Sequence, residues 1–266
     1  MKQTFDKDWI LHPAGGDSGQ AFMGQHKQER VFLKRNSSPF LAALSTEGLT
    51  PRLVWSKRTS DGSTYSAQEW LPGRTLEDEE VRQPQVQALI RHYQESNYLR
   101  AMLEKIGGER YRAPRLLAQL QTALAPTLGS ETLVIEALAY LEEEQEALQA
   151  APLTVSHGDL CAENFYLADD GRLYLVDWDN CQLADPYLDI GQLLVHYIPL
   201  AAWTDWLRAY PLAIEPQSYQ RLIWYAILTL LFSINQAWEA REEEALQAHF
   251  QKLKIIYQYR SFHSVT

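Results

Sequence analysis

The sequence is poor in cysteine and has no long hydrophobic run. Only two of its 266 residues are cysteines, Cys161 and Cys181, too few for the disulfide framework of a secreted protein. The longest uncharged stretch, residues 222–238, has 17 residues, fewer than the roughly 20 that a membrane-spanning helix needs. No apolar segment follows the early lysine, as a secretory signal would require. We therefore expect a cytoplasmic protein without a membrane span, in which residues 222–238 form a buried helix.

Positive charge is also scarce. The chain has 24 Lys and Arg against 34 Asp and Glu, a net charge of -10. Contacts with nucleic-acid phosphates need clustered basic residues, so this composition excludes nucleic acid as a direct ligand. The imbalance is uneven, because the chain up to Glu69 has nine basic and seven acidic residues, and the rest carries the acidic excess.

What the sequence does contain is a globular composition, with 46% hydrophobic residues, and a β-rich beginning. Asp61-Gly62 between two β-prone runs is a strong hairpin signal. We expect a small antiparallel sheet of about five strands, interrupted by a short helix over residues 39–44. The β-prone runs span residues 21–27, 31–36, 52–58 and 64–71, with a turn around Glu29 and Arg30.

After Pro72-Gly73 the pattern changes to the helical period. Between the third and fourth helical segments, residues 153–179 read as short strands separated by turns. This order predicts an α+β, bilobal protein-kinase-like fold, with a small antiparallel β-rich N-lobe at 1–71 and a larger, mainly helical C-lobe at 72–266 that holds one β-hairpin. The helical segments are 86–98, 116–128, 131–148, 187–197, 204–210, 218–244 and 245–259.

The strongest chemical signal is the segment HGDLCAEN, residues 157–164, followed by LVDWD, residues 175–179. The pattern H-x-D-x4-N, then an apolar strand that ends in Asp, fits the catalytic loop and metal-binding strand of phosphoryl-transfer kinases. One carboxylate must receive or orient a hydroxyl, while an amide and a second carboxylate hold magnesium against the nucleotide phosphates. Mg²⁺ prefers hard oxygen ligands, and the phosphates and water supply the rest.

With these motifs the sequence resembles the choline kinase and aminoglycoside phosphotransferase family, small-molecule kinases with a protein-kinase-like fold. The segment ADPYLDIG, residues 184–191, adds to the resemblance, which covers most of the chain. Residues 32–55 are similar to a subgroup from low-GC Gram-positive bacteria that includes YtmP-like phosphotransferases and the cell-cycle regulator CcrZ.

The resemblance implies the roles of the residues in the segment 153–179, which we call the catalytic island. Asp159 would be the catalytic base or hydroxyl-orienting carboxylate, and it would also contact the substrate. Asn164 and Asp177 would bind Mg²⁺. His157 would hold the loop through hydrogen bonds, and Asp179 would bind substrate or start the following loop.

The resemblance also implies an ATP site in the N-lobe. Lys34 would pair with the α- and β-phosphates, and Glu47 is the available acidic partner for it. The backbone of the glycine turn would cover the phosphates, and the backbone of the segment after the last strand would bind adenine. The turn residues are Gly15, Gly16, Ser18 and Gly19, and the adenine-binding segment is Glu69, Trp70 and Leu71.

The spacing of the late motifs indicates a small substrate. Only seven residues, 178–184, separate Asp177 from Asp185, too few for the long activation segment with which protein kinases present a peptide. Asp189 is expected to be a structural carboxylate at a helix start. Aromatic residues at 203, 206, 224, 225 and 238 suggest an acceptor pocket, although those of the apolar helix are more typical of a core.

Three functions remain open at this point. The subgroup resemblance favours a sugar kinase acting on ribose or 2-deoxyribose, with a role in cell-cycle control. A choline, ethanolamine or aminoglycoside kinase is the second reading. The third is a pseudokinase-like scaffold that binds proteins of the division or replication machinery. The retained set of Lys34, Asp159, Asn164 and Asp177 favours an active enzyme.

Overall fold

The protein consists of two compact units, each built from separate stretches of sequence. The computed structural model describes residues 9–13, 21–27, 29–59, 61–210 and 216–260. A β-rich unit comprises Met1–Val81, Ser96–Gly107 and Ala162–Asn180, and a helical unit comprises Arg82–Glu95, Gly108–Cys161 and Cys181–Thr266. The β-rich unit contains all of the predicted N-lobe and two later segments, so the lobe division at residues 71 and 72 stays a prediction.

Eleven strands occur in the described part of the chain. In chain order they are β1 (Ile10–Pro13), β2 (Ala21–His26), β3 (Glu29–Arg35), β4 (Leu53–Arg58), β5 (Thr64–Glu69), β6 (Gly73–Thr75), β7 (Arg110–Tyr111), β8 (Thr154–Ser156), β9 (Phe165–Ala168), β10 (Leu173–Leu175) and β11 (Gln182–Ala184).

Nine α-helices occur in the same residues, and no helix among them is long and apolar enough to cross a membrane. They are α1 (Leu41–Thr46), α2 (Pro84–Glu95), α3 (Asn97–Lys105), α4 (Ala113–Ala123), α5 (Thr132–Leu148), α6 (Tyr187–Tyr197), α7 (Trp203–Ala209), α8 (Pro216–Ala240) and α9 (Glu243–Gln258).

The main sheet of the β-rich unit has five antiparallel strands, the number predicted, and their order is β1-β2-β3-β5-β4. The Asp61-Gly62 turn joins β4 to β5, and Gly62 has a φ of +86°, which glycine adopts without steric cost. One prediction here was wrong, because Glu29 and Arg30 belong to β3 and not to the turn before it. Side chains alternate between the two faces of a strand, so Phe32 and Lys34 share one face of β3.

A second sheet of the β-rich unit has the order β10-β9-β6. The β9–β10 pair is the predicted hairpin of the catalytic island, and β6 begins at Gly73, just after Pro72. Leu175 donates a backbone hydrogen bond of 2.9 Å to Leu49, which ties the end of β10 to the loop after α1. This arrangement places residues 176–179 beside the main sheet.

The helical unit packs around α8, whose residues 222–231 are almost all buried, as predicted for an apolar core helix. Its small sheet has the order β7-β11-β8. The helix predicted over residues 86–98 is present as α2, but its predicted end was wrong, because α2 ends at Glu95 and a new helix begins after Ser96. The Ser96 hydroxyl accepts a 3.1 Å hydrogen bond from the Leu99 backbone N–H, and this cap starts α3.

Candidate active site

A short turn after β10 presents two carboxylates of the β-rich unit. Trp178, between Asp177 and Asp179, is buried, packs edge-on against Phe40 with ring centroids 6.2 Å apart, and donates from Nε1 to the Leu175 carbonyl. Asp177 has a φ of +60°, in the left-handed region that Asp and Asn tolerate better than most residues. The anchored indole therefore fixes the backbone from which both flanking carboxylates project.

Lys34 holds the two carboxylates together. Its Nζ lies 2.6 Å from Asp177 Oδ1 and 2.8 Å from Asp179 Oδ2. Burial alone would lower the pKa of Lys34, but hydrogen bonds and charge from both aspartates outweigh it and raise that pKa. The ammonium group is therefore protonated at neutral pH, and two anionic groups share one cation.

These groups open into a cleft of about 450 Å³ within the β-rich unit, a volume suited to a small ligand. Six residues predicted from sequence for nucleotide and metal binding line it together, namely Lys34, Glu69, Trp70, Leu71, Asn164 and Asp177. Asp179, which was expected to bind substrate or start the following loop, lines it as well. Gln68 on β5 and Tyr166 on β9 are among the lining residues that sequence reasoning missed.

The predicted adenine-binding segment is fastened to the second sheet. The Tyr166 hydroxyl donates a 2.8 Å hydrogen bond to the Leu71 carbonyl, and the Asp169 N–H donates to the Pro72 carbonyl at 2.9 Å. At Gly73 a Cβ atom would come within 2.4 Å of the Leu167 carbonyl oxygen, so the close approach of β6 to β9 requires glycine. The segment that follows β5 is thus held at a fixed position along the cleft.

The ligand types in this cleft fit magnesium. Asn164 and Asp177 supply an amide and a carboxylate, both hard oxygen ligands, and the Val176 N–H donates to the Asn164 carbonyl at 2.9 Å, which ties the two positions together. The Lys34 ammonium marks a point at which two carboxylate oxygens already converge on a cation. The described residues contain no group of three or more His, Cys, Asp and Glu arranged for a metal, so phosphate and water oxygens would have to complete the shell.

The first part of the predicted catalytic loop, residues 157–161, lies in the helical unit, where Asp189 holds its backbone. This fully buried carboxylate accepts four hydrogen bonds, from the Tyr93 hydroxyl at 2.6 Å, the Ser156 hydroxyl at 2.7 Å, and the backbone N–H groups of His157 and Gly158 at 2.9 and 3.1 Å. Gly158 has a φ of +80°. Asp189 was expected to be structural, and its contacts show what it holds. Two of its hydrogen-bond donors are the backbone N–H groups of the residues directly before Asp159.

Asp159 itself is half-buried, and hydrogen bonds hold the backbone on both sides of it. Before it, His157 is buried and its backbone is held by Asp189. After it, the Leu160 N–H donates to Gln192 Oε1 at 3.1 Å. The loop around Asp159 is therefore fixed through its backbone, while the carboxylate retains solvent access.

Some predicted site residues are placed elsewhere or lie outside the described residues. Glu47 is the C-terminal cap of α1, and its backbone N–H donates to the Ala43 carbonyl. The ion pairs seen for Lys34 are those with Asp177 and Asp179, so pairing with Glu47 remains a prediction. The glycine turn lies outside the described residues. Its predicted residues are Gly15, Gly16, Ser18 and Gly19.

The aromatic residues suggested for an acceptor pocket are mostly core residues. Trp224 and Tyr225 are fully buried in α8, and Trp203 and Trp206 are also buried. Trp238, near the end of α8, is exposed, contrary to its expected core position.

Solved structures with the same fold come from three kinds of kinase. Choline kinase LicA from Streptococcus pneumoniae matches with a TM-score of 0.64 and 14% identity over 93% of this chain and 94% of that chain. A choline/ethanolamine kinase family protein from Mesorhizobium loti matches with a TM-score of 0.61 and 17% identity over 92% and 87%. The GDP complex of wild-type aminoglycoside 2'-phosphotransferase-IIIa matches with a TM-score of 0.62 and 12% identity over 96% and 93%.

These likenesses confirm the predicted kinase-like α+β fold. The family assignment comes from the sequence itself, because residues 15–225 match the model of the phosphotransferase enzyme family. That match covers the predicted nucleotide, metal and catalytic residues together. The chain thus belongs to the phosphotransferase enzyme family and is a phosphotransferase, with the fold seen in choline and aminoglycoside kinases.

Proposed function

We propose that the protein is an ATP- and Mg²⁺-dependent kinase that transfers the γ-phosphoryl group to a hydroxyl of a small sugar. The observation that carries the proposal is the contact of the Lys34 ammonium with both Asp177 and Asp179 in a cleft that Asn164 also lines. A cation and two carboxylates at this spacing are the groups needed to bind a metal–triphosphate complex.

Each residue then has one task. The Lys34 ammonium contacts the α- and β-phosphates, and backbone groups of residues 69–71 bind adenine. Asn164 and Asp177 would hold Mg²⁺, which when bound would neutralise charge on the phosphates. Asp159 orients the acceptor hydroxyl and takes its proton as the O–P bond to the γ-phosphorus forms and the bond to the β-phosphate oxygen breaks.

Lys34 must exchange partners when the nucleotide binds. Asp177 and Asp179 have side chains 53% and 55% exposed, and ion pairs at such exposure stabilise a protein by at most about 1 kcal/mol. Releasing the ammonium to the phosphates therefore costs little. The ion pair keeps the lysine aimed into the cleft while no nucleotide is bound.

Ribose or 2-deoxyribose is the acceptor that we propose, on the basis of the similarity of residues 32–55 to the Gram-positive subgroup. The same similarity suggests a cytoplasmic role in cell-cycle control, with partners in the division or replication machinery. Choline, the substrate class named for the LicA relative, is the second candidate. An aromatic cage for its quaternary ammonium would need exposed rings, and Trp224 and Tyr225 are fully buried.

The test is ADP formation with ATP and Mg²⁺ across ribose, 2-deoxyribose, choline, ethanolamine and an aminoglycoside. We expect a sugar-dependent rate that Asp159→Ala and Asp177→Ala abolish, while Asp205→Ala, an exposed control, leaves it intact. A strong preference for choline would overturn the sugar assignment. Nucleotide binding without turnover of any acceptor would favour the scaffold function, and absence of nucleotide binding to the folded protein would contradict the proposal entirely.

A further inference from the structure

Gln68 is a buried amide whose orientation is fixed by one hydrogen bond. It lies on β5, is 7% exposed, and lines the cleft. Its Nε2 donates to the Pro51 carbonyl at 2.9 Å. Because only the NH₂ end of an amide can pair with a carbonyl oxygen, this bond determines which end is which.

The other end of the amide has no partner in the described part of the chain. No hydrogen bond to Gln68 Oε1 occurs among residues 9–13, 21–27, 29–59, 61–210 and 216–260. The fully buried side-chain atoms without a partner in the described residues do not include Gln68 Oε1, so this oxygen is accessible from the cleft. An acceptor left unpaired on the wall of a ligand cleft is therefore suited to a donor on the ligand.

The strand register places Gln68 beside the position expected for the base of a bound nucleotide. Phe32 pairs with Gln68, and Lys34 pairs with Ser66, so the backbone positions of Gln68 and Lys34 are offset by two residues along adjacent strands, about 7 Å in the strand direction. The segment from Glu69 to Leu71, proposed to bind adenine, follows Gln68 directly. With the phosphates at Lys34, the base comes next to the amide.

We infer that Gln68 Oε1 accepts a hydrogen bond from the 6-amino group of adenine and selects adenine nucleotides against 6-keto purines. In guanine and hypoxanthine an oxygen replaces that amino group, and two acceptor oxygens would face each other. The Pro51 contact prevents the amide from rotating to offer its NH₂ end instead. This inference rests on the proposed use of a nucleoside triphosphate as phosphoryl donor.

The experiment compares kcat/KM for ATP, ITP and GTP at saturating acceptor. ITP differs from ATP only around position 6 of the base, so the ATP-to-ITP ratio isolates the proposed contact. We expect the wild-type protein to prefer ATP by about 10- to 100-fold. This comparison needs no variant and therefore holds even if substitution of Gln68 impairs folding.

Gln68→Leu keeps the side chain similar in size and removes both polar ends. We expect its ATP-to-ITP ratio to fall by most of the wild-type factor. The matched control is Gln87→Leu, because Gln87 is also buried and donates from Nε2 to a backbone carbonyl, that of Trp206, in the helical unit. Thermal unfolding of both variants separates a general loss of stability from a change in base selection.

The outcomes separate the two levels of the hypothesis. Equal use of ATP and ITP by the wild-type protein, or an unchanged ratio in folded Gln68→Leu, overturns the inference and leaves the kinase intact. Failure of every triphosphate to bind or react contradicts the proposed function itself. A ratio that collapses in Gln68→Leu and persists in Gln87→Leu supports the assignment.

Discussion

Two pairs of aspartates, only a few residues apart in sequence, serve opposite purposes. In the β-rich unit, Asp177 and Asp179 are about half exposed and share the Lys34 ammonium. In the helical unit, Asp185 and Asp189 are buried. Arg221 contacts Asp185 through two nitrogens at 2.7 and 2.8 Å, while Asp189 is surrounded by hydroxyl and backbone donors.

The difference lies in whether the partners can be exchanged. A half-exposed carboxylate paired with a flexible ammonium can trade that cation for a metal or a ligand at small cost. A buried carboxylate with all its lone pairs occupied cannot, because removing one partner leaves an uncompensated charge in a poorly solvated place. The first pair is therefore suited to binding and the second to a structural role, in which Asp189 holds the catalytic loop. Three of the four predictions below test this division, and the other concerns a buried histidine of the helical unit.

The largest effect is expected for Asp177→Asn. We expect turnover to fall about 10³-fold or more, because the amide lacks the charge needed for metal binding. The free energy of unfolding should change by no more than about 1 kcal/mol, since Asn tolerates the left-handed backbone and the ion pair is exposed. Steady-state kinetics and urea unfolding measure the two quantities. A large loss of stability would show that this pair, too, is structural.

Asp189→Ala should reverse that pattern. We expect a loss of about 3 kcal/mol in the free energy of unfolding, because four donors lose their acceptor in a buried site. Asp205→Ala, at an exposed position on α7, should stay within about 0.5 kcal/mol of the wild type. Equal unfolding curves for the two variants would remove the distinction between the pairs.

Acidification should weaken the helical unit through His196. Burial, with added repulsion from His249 and Lys252 on α9, lowers its pKa from 6.5 to about 4. Because the unfolded chain takes up the proton first, stability is complete above pH 6.5, falls below it, and stops falling near pH 4. At pH 5 the loss is about 2 kcal/mol.

Urea unfolding at pH 7.5 and pH 5.0 measures this loss, and His196→Gln should reduce the difference between the two values. His12→Gln, at an exposed position on β1, is the matched control and should leave the difference unchanged. If the free energy of unfolding of His196→Gln depends on pH as strongly as that of the wild type, other groups cause the loss of stability.

The smallest effect is expected for Asp179→Asn. Lys34 keeps Asp177 as a partner in this variant, so the ammonium stays in the cleft. We expect kcat/KM for ATP to fall about tenfold through poorer positioning of Lys34, with stability within about 0.5 kcal/mol. A loss as large as that of Asp177→Asn would indicate that Asp179 also binds the metal.

Local patterns predicted the elements better than the contacts between them. α6 begins and ends at the predicted residues, because Asp185-Pro186 marks its start and its apolar period continues to Tyr197. The break at Ser96 was missed, although serine before a new apolar period is a capping signal. Helical periodicity continued across residues 95–97 and hid the boundary.

Two residues line the cleft because of strand pairings that no sequence motif indicates. The spacing of Asn164 and Asp177 led us to expect them on one hairpin, and both line the cleft. Tyr166 is drawn to Leu71 by the pairing of β6 with β9, and Gln68 enters the cleft through the register of β3 with β5. Such contacts join residues far apart in sequence, so the propensities of single residues do not predict them.

The left-handed backbone at Asp177 also constrains how this protein can evolve. A φ of +60° accepts Gly, Asn and Asp and disfavours β-branched or bulky side chains. In a lineage that lost phosphoryl transfer, replacement of Asp177 by Asn or Gly would therefore preserve this turn, in which Trp178 packs against Phe40. Descendants with Asn or Gly at this position and the tryptophan after it unchanged are the expected form of a relative that keeps the architecture after losing the chemistry.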